Sequence, residues 1–221
     1  MAYESSRPFD EGFSIKTSGF GLYRDFLKRS FDIAVILLFA VPVAVLLAIL
    51  AVLVSSDGKS PFYGQRRVGR NGRDFTMWKL RSMVPDAEHM LEAYLDSDPA
   101  ARLEWDVTQK LKNDPRITKV GRLIRKTSLD ELPQLWNVII GDMALIGPRP
   151  MMCSQKSLYP GSAYYSMRPG LSGYWQTSSR NESSFSERAS FDTRYYYDIS
   201  FLTDIGVLLQ TVRVVVSGTG H

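Results

Sequence analysis

An unbroken run of apolar residues from Ile33 to Val54 constrains the fold of this chain more than any other feature. As a straight helix of about 22 residues, rising about 1.5 Å per residue, the run would just cross a hydrocarbon core of roughly 30 Å. Pro42 interrupts the run near its middle. Because proline removes a backbone hydrogen bond and bends a helix, each half is then too short to span a bilayer.

Basic residues flank this run on both sides. Those before it are Arg24, Lys28 and Arg29, and those after it are Lys59, Arg66, Arg67, Arg70 and Arg73. Basic flanks favour the cytoplasmic side of a membrane, whereas a spanning helix places its flanks on opposite sides. We therefore expect a re-entrant helical hairpin that enters and leaves one leaflet, which makes the protein monotopic.

Two other interpretations of the run remain. A cleaved signal peptide is disfavoured because about 30 residues precede the run and no small-residue cleavage pattern ends it. A buried helix of a soluble core is the second alternative, although an apolar run of this length is unusual in such a core. The rest of the chain carries an excess of positive charge, and the net charge of +4 favours phosphate-bearing partners or an anionic membrane surface.

Two short segments after the run predict a β-hairpin. The strands are expected at Phe62 to Val68 and Phe75 to Leu80, with a turn over Gly69 to Arg73. The hairpin is dense in basic residues, namely Arg66, Arg67, Arg70, Arg73, Lys79 and Arg81. Such a cluster close to a membrane element is expected to face lipid headgroups or a phosphate ligand.

The remainder is predicted to be mainly helical. Helices are expected at Pro85 to Leu95, Pro99 to Lys112, Ile117 to Lys126, Leu132 to Ile140, Phe185 to Tyr197 and Ile199 to Val216. The last of these is either a core helix or an element lying in the membrane interface. The fold class is therefore mixed α/β and mainly helical. It joins a re-entrant membrane hairpin to a small cytoplasmic domain with a short β-hairpin.

Two pairs of acidic residues are candidates for chemistry. Asp96 and Asp98 form an Asp-x-Asp pair that suits the metal of a nucleotide-sugar, although Asp98 before Pro99 is also a natural helix start. Asp130 and Glu131 are adjacent. A single cysteine, Cys153, excludes both an internal disulfide and a metal cluster built on several cysteines.

The Asp130-Glu131 pair lies between Arg125 and Arg149. Arginines that neutralise a phosphate let an ionised carboxylate attack phosphorus or hold a metal ion. The pattern Ser128-x-x-Glu131 is also a helix capping box, which is a purely structural alternative. If both carboxylates lie in the first turn of the helix that follows, its free N–H groups and dipole keep them ionised.

A third segment combines turn residues with aromatic side chains. It extends from Arg168 to Gln176 and is followed by Arg180. Such a loop can stack a base and hold a phosphate, although aromatic packing explains it equally well. The chain has no P-loop, no Gly-x-Gly-x-x-Gly helix start, no His-Glu-x-x-His and no Gly-x-Ser-x-Gly motif, which removes several enzyme classes.

These motifs together resemble those of the monotopic phosphoglycosyl transferases, which are bacterial sugar transferases. The matching blocks are Arg125 to Gln134, Gly141-Asp142-Met143, Gly147-Pro148-Arg149-Pro150 and Arg168-Pro169-Gly170, and the resemblance covers about Lys28 to the C terminus. It implies transfer of a sugar-1-phosphate from a UDP-sugar to a polyprenyl phosphate such as undecaprenyl phosphate, with release of UMP. The implied setting is the cytoplasmic face of the bacterial inner membrane, at the first membrane step of glycan assembly.

The resemblance also implies roles for individual residues. Asp130 would be the nucleophile on the β-phosphate, and Glu131 would assist it through Mg²⁺ or as an acid or base. Asp142 would support the metal or a loop, so that the implied metal set is Asp130, Glu131 and Asp142. The implied phosphate and substrate ligands are Arg125, Arg149, Arg168, Arg180, Lys79 and Arg81.

In these terms the chain divides into a loose arm at 1–21, a basic lead-in and re-entrant helix at 22–56, and a cytoplasmic catalytic domain with interfacial helices at 57–221. The resemblance is to compact members that begin exopolysaccharide repeat units, with galactose or glucose as the expected sugar. Membrane phospholipid is an expected partner, nucleic acid is not, and a homodimer is an open expectation. One departure concerns the bend, where many members have a serine before the proline and this chain has Val41. Two alternative functions remain. The first is a metal-dependent glycosyltransferase that uses Asp96 and Asp98, and the second is a membrane-anchored scaffold.

Overall fold

The computed structural model describes residues 21–108, 111–178 and 185–216. The arm predicted at 1–21, except for Gly21, and the candidate ligand Arg180 lie outside these residues. A single helical segment begins with a π-helical turn at Tyr23–Leu27, continues as helix α1 at Lys28–Val54 and ends in a 3₁₀ turn at Ser55–Asp57. Helix α1 continues through Pro42 as one helix, so the apolar run is helical along its whole length.

Most of helix α1 is exposed. The segment Tyr23–Asp57 is long and apolar enough to cross a membrane, and only 11% of its most apolar stretch is buried inside the protein. The exposed side chains include Leu37, Leu38, Val41 and Val45, which lie on either side of the proline. A core helix of a soluble protein buries most of its apolar surface, so that alternative does not fit.

Both ends of α1 nevertheless contact the same folded body. Near its start, Arg29 Nη2 donates a hydrogen bond to the carbonyl oxygen of Ile139 at 2.8 Å. At its end, Arg81 Nη2 donates to the carbonyl oxygen of Val54 at 3.1 Å, and Leu50 packs in a small core with Leu80 and Ile124.

The predicted β-hairpin is confirmed. Strand β1 at Phe62–Val68 pairs antiparallel with strand β2 at Asp74–Leu80, in a register that sets Phe62 opposite Leu80 and Val68 opposite Asp74. The turn between them is tight because Asn71 and Gly72 adopt positive φ values of 58° and 71°. The alternation places Phe75 and Met77 in the main core, whereas Leu80 packs in the small core with Leu50 and Ile124, and Trp78 is exposed.

Helices follow the hairpin. Helix α2 is at Ala87–Ser97, α3 at Pro99–Thr108, α4 at Lys119–Lys126 and α5 at Gln134–Ile140. Asp98 caps α3, since its Oδ1 accepts hydrogen bonds from the N–H groups of Ala100 at 2.9 Å and Ala101 at 3.1 Å. Asp96 is exposed and pairs with Arg102 at 2.6 Å. The Asp-x-Asp pair is therefore a cap and a surface ion pair.

A short parallel pairing organises the second half of the chain. Strand β3 at Ala144–Ile146 lies beside strand β4 at Gly170–Ser172, with Ala144 opposite Gly170. Short helices α6 at Ala163–Ser166 and α7 at Tyr174–Thr177 flank this pair, and α8 at Arg188–Asp198 and α9 at Phe201–Val216 complete the fold. The main core joins residues of these elements with Ile36 of α1 and Val138 of α5.

Helix α9 has two different faces. Its buried face carries Val207 and the fully buried Asp204, whereas Leu202, Leu209 and Val212 are exposed. Asp204 Oδ2 accepts hydrogen bonds from Lys28 Nζ at 2.6 Å and Tyr23 Oη at 2.7 Å, and its Oδ1 accepts from Tyr195 Oη at 2.7 Å. This polar cluster attaches the start of the helical segment that contains α1 to α8 and α9. Helix α9 therefore packs one face in the core and leaves an apolar face exposed, and its placement in a membrane interface stays a prediction.

Candidate active site

The Asp130-Glu131 pair lies in a 3₁₀ turn at Leu129–Glu131, ahead of α5. The predicted capping box is wrong: Ser128 has a positive φ of 56° and its side chain makes no cap hydrogen bond. The α-helix begins at Gln134, after Pro133, so the carboxylates are not in its first turn. Both carboxylates instead pair with a lysine of the β-hairpin.

Lys79 of strand β2 contacts both carboxylates. Its Nζ lies 2.8 Å from Glu131 Oε1 and 3.5 Å from Asp130 Oδ2. Burial raises the pKa of Asp130 above its usual value, while the positive charges of Lys79 and Arg125 oppose that rise. Since Asp130 precedes α5, the condition under which the dipole of that helix was expected to keep it ionised is not met.

The Gly-Pro-Arg-Pro motif is positioned by the β3–β4 pairing. A Cβ atom on Gly170 would overlap the backbone nitrogen of Gly147, and one on Gly173 would overlap its carbonyl oxygen. Only glycine allows these two backbone segments to approach so closely. The close approach brings Arg149, two residues after Gly147, over the ring of Trp175 at 5.6 Å.

Two further arginines converge on Arg149. Arg188 of α8 donates from Nη2 to the carbonyl oxygen of Arg149 at 2.6 Å. Its guanidinium carbon also lies over the ring of Trp175, 5.2 Å from the ring centre. Arg67 of β1 donates from Nη1 to the carbonyl oxygen of Pro150 at 3.1 Å. Burial, followed by the charge of Arg149, lowers the pKa of Arg67. Burial likewise lowers the pKa of Arg188.

These side chains form one cleft, which we call the dyad cleft. Its lining includes Arg67, Met77, Lys79, Glu131, Gln134, Arg149, Pro150, Gly170, Leu171 and Gln176. The dyad cleft thus sets the Glu131 carboxylate and Lys79 near Arg67 and Arg149, while Asp130 is buried next to this lining and contacts it through Lys79. An arrangement of this kind can bind a diphosphate and present a carboxylate to it.

Sequence reasoning missed Arg67 and Arg188 as site residues. Arg67 was included only in the general basic cluster of the hairpin, where its neighbour Arg66 has 67% of its side chain exposed. Arg188 lies in a helix of mixed polarity, and no local pattern distinguishes it. Burial of a charged side chain is the signal that identifies both, and it is visible only in the folded protein.

Several predicted ligands lie elsewhere. Arg168 and Asp142 line a second cleft beside the hairpin turn. Arg81 forms a bidentate pair with Asp57, at 2.6 Å and 2.7 Å, next to the end of α1. These contacts make Arg81 part of the attachment of α1 rather than of the dyad cleft.

The acidic residues do not assemble as the sequence implied for a metal ion. Among residues 21–108, 111–178 and 185–216, no three His, Cys, Asp or Glu side chains are grouped so that they can hold one. Asp142 therefore does not join Asp130 and Glu131 in a ready-made site. Two carboxylates still fit Mg²⁺, which commonly takes one or two protein oxygens and completes its shell with water and substrate phosphates.

Comparison with known proteins identifies the family of the chain. Residues 23–218 match the family model described as bacterial sugar transferase. The chain is 48% identical over 197 residues to a UDP-galactose-lipid carrier transferase of Erwinia amylovora, covering 88% of this chain and 41% of that protein. It is 46% identical to an undecaprenyl-phosphate galactose phosphotransferase of Salmonella typhimurium, covering 88% of this chain and again 41% of the relative.

A relative of similar size also matches. The exopolysaccharide production protein ExoY of Sinorhizobium fredii is 43% identical over 196 residues, covering 87% of each chain. The chain spans about two fifths of the length of the two galactose-transferring relatives and most of the length of ExoY. The matched region contains the whole dyad cleft. The chain belongs to the bacterial sugar transferase family.

Proposed function

We propose that this protein transfers a sugar-1-phosphate from a UDP-sugar to undecaprenyl phosphate and releases UMP. The observation that carries the proposal is the ion pairing of Lys79 with Asp130 and Glu131 inside a cleft lined by Arg67 and Arg149. The names of the relatives supply the substrate class, since they include a UDP-galactose-lipid carrier transferase and an undecaprenyl-phosphate galactose phosphotransferase.

The first chemical step is an attack of an Asp130 carboxylate oxygen on the β-phosphorus of the UDP-sugar. A new bond forms between that oxygen and phosphorus, and the bond to the bridging oxygen breaks, so that UMP leaves with the electron pair. The product is an acyl phosphate that joins Asp130 to the sugar phosphate. Arg149 and Arg67 neutralise the phosphate oxygens, which reduces the repulsion that an incoming carboxylate meets.

In the second step, a phosphate oxygen of the undecaprenyl carrier attacks the same phosphorus atom. The bond to Asp130 breaks and the carboxylate is regenerated. A bound Mg²⁺ supplies additional neutralisation of phosphate charge. Glu131 and Asp130 provide the oxygen atoms that would hold it. Lys79 pairs with both carboxylates and opposes the rise in the pKa of Asp130 that burial causes.

The exposed apolar surface of α1 supports the membrane part of the proposal. Both ends of this helix contact one folded body, through Arg29 at its start and Arg81 at its end. A helix that crossed the bilayer would place its two ends on opposite sides of a hydrocarbon core roughly 30 Å thick, where one folded body would not contact both. We therefore infer a re-entrant helix and a catalytic domain on the cytoplasmic face, where a soluble UDP-sugar meets a lipid phosphate.

Incubation with UDP-sugar labelled on the β-phosphate tests the chemistry. The full-length protein in detergent is given the sugar donor and Mg²⁺ without the lipid, and protein-bound label and UMP are measured. We expect a covalent adduct and one burst of UMP, both absent from Asp130→Asn. The matched control is Asp96→Asn, which also removes one carboxylate but leaves the dyad cleft intact. UMP release by Asp130→Asn at the normal rate would overturn the proposal.

A panel of donors then identifies the sugar. We propose galactose as the sugar, because the names of two relatives include galactose. UDP-glucose is the principal competing donor in the panel. Topology is measured separately in sealed vesicles with single cysteines at Arg24 and Lys59, in a Cys153→Ser background. Both should react with an impermeant thiol reagent from the same side. Reaction from opposite sides would contradict the re-entrant helix.

A further inference from the structure

A second cleft lies beside the turn of the β-hairpin, and we call it the turn cleft. Its lining consists of Gly69, Arg70, Asn71, Arg73, Asp74, Phe75, Gly141, Asp142 and Arg168. None of these residues lines the dyad cleft. Strand β2 connects the two clefts, with Asp74 and Phe75 in the turn cleft and Met77 and Lys79 in the dyad cleft. The turn cleft is therefore a separate opening in the same domain.

Positive charge predominates around the turn cleft. Arg70 and Arg73 are exposed at the turn. Arg168 is half-buried and donates from Nε to the carbonyl oxygen of Gly141 at 2.8 Å. Burial lowers the pKa of Arg168, and the charges of Arg70 and Arg29 lower it further.

Two carboxylates also line the turn cleft. Asp142 accepts a hydrogen bond from Asn137 Nδ2 at 3.3 Å. Asp74 lies 3.8 Å from Arg66 Nη2, so its charge is partly offset by an arginine outside the lining. The lining therefore carries three guanidinium groups and two carboxylates. The net charge left over favours an anion.

The turn cleft is next to the point where α1 enters its apolar run. Arg29 lies four residues before Ile33, and its guanidinium bonds the carbonyl oxygens of Val138 and Ile139 at the end of α5. The exposed side chains of Ile139 and Ile140 continue from there as an apolar surface. A phosphate beside apolar surface at the foot of a membrane helix is the chemistry of a lipid headgroup and its acyl chains.

We propose that the turn cleft binds the phosphate headgroup of an anionic membrane phospholipid. Arg70, Arg73 and Arg168 hold the phosphate, and the acyl chains lie over Ile139 and Ile140. Arg29 sets the depth at which the headgroup meets the start of α1. The bound lipid is then a fixed support for the domain at the membrane surface, separate from the lipid phosphate that reacts in the dyad cleft.

Native mass spectrometry of the full chain in non-ionic detergent tests this site. The protein is titrated with phosphatidylglycerol, phosphatidylcholine and inorganic phosphate in parallel. We expect one phosphatidylglycerol retained per protein, in preference to the other two ligands. The double variant Arg70→Gln/Arg73→Gln should bind it about 10- to 30-fold more weakly, because each basic residue near a membrane surface contributes roughly 1 kcal/mol to anionic lipid binding.

The matched control is Arg122→Gln/Lys126→Gln, which removes two exposed charges from α4, away from the turn cleft. We expect this control to retain the lipid within about twofold of the unchanged protein. An equal loss in the control would refute a defined site and indicate general surface charge. Equal retention of inorganic phosphate, or displacement of phosphatidylglycerol by one equivalent of farnesyl phosphate, would overturn the phospholipid assignment.

The Asp130→Asn variant separates this inference from the proposed reaction. It should bind phosphatidylglycerol with unchanged affinity and stoichiometry while forming no sugar-phosphate adduct. Loss of lipid binding in Asp130→Asn would contradict the independence of the two clefts. Unchanged lipid binding by Arg70→Gln/Arg73→Gln would refute the turn cleft as the site, whatever the outcome of the adduct experiment.

Discussion

Replacement of Lys79 by methionine tests how the charge of Asp130 is maintained. The Nζ of Lys79 is 3.5 Å from Asp130 Oδ2, and two unit charges at that separation interact by about 5 kcal/mol at an effective dielectric constant of about 20. Solvent screens part of this energy, since 22% of the Lys79 side chain is exposed. We therefore expect Lys79→Met to remove about 1–3 kcal/mol of the preference for an ionised Asp130.

The expected consequence is a shift of the acidic limb of the pH–rate profile. Burial already raises the pKa of Asp130, and Lys79 is the largest influence that opposes the rise, so its loss raises that pKa further. On the acidic side, formation of the adduct should slow by roughly 5- to 150-fold, and the deficit should shrink as pH rises. Single-turnover release of UMP, measured from pH 5 to pH 9, gives the profile. Lys79→Arg is the control that keeps the charge.

A stability measurement checks the same reasoning independently. A carboxyl group whose pKa is raised by folding binds more protons in the folded state than in the unfolded state. The free energy of unfolding therefore falls as pH rises from the ordinary Asp range through the raised pKa. Lys79→Met should extend this fall to higher pH and enlarge its total, because the pKa of Asp130 rises further. A rate reduced equally at every pH, with no change in the pH dependence of stability, would refute the argument and assign Lys79 to substrate binding alone.

Other substitutions test the framework of the site. Gly170→Ala should lower the free energy of unfolding by roughly 2–4 kcal/mol, because the added Cβ overlaps the backbone of Gly147. Gly206→Ala, in open space on helix α9, should raise the free energy of unfolding by about 0.5–1 kcal/mol. Thermal unfolding in detergent compares the two variants. Asp204→Ala should lower the free energy of unfolding by about 3–5 kcal/mol, because Lys28 loses the carboxylate that it contacts at 2.6 Å. A melting temperature lowered by less than a few degrees would contradict that value. Arg188→Gln should raise the KM for the UDP-sugar about tenfold or more by releasing Arg149, with little change in lipid retention; an unchanged KM would exclude this positioning role.

Local patterns in the sequence were sufficient for the elements that depend on near neighbours. The alternation of Phe75 and Met77 predicted strand β2, and the turn residues Asn71 and Gly72 predicted the hairpin that pairs it with β1. Helix caps were predicted less reliably from local patterns. The pattern at Asp98 was interpreted correctly as a helix start, whereas Ser128 and Glu131 matched a capping box that does not form, because Ser128 has a left-handed backbone and the α-helix begins only at Gln134.

The sequence by itself determined which chemical groups the protein possesses: an exposed apolar helix, an adjacent pair of carboxylates and an excess of arginine. Only the tertiary structure decided which of them meet. The β3–β4 pairing brings Gly147 against Gly170, and the packing of α8 delivers Arg188 to Arg149, while Arg168 and Asp142 are directed to the turn cleft. Contacts between residues far apart in sequence depend on how whole faces pack, and no local periodicity records that packing.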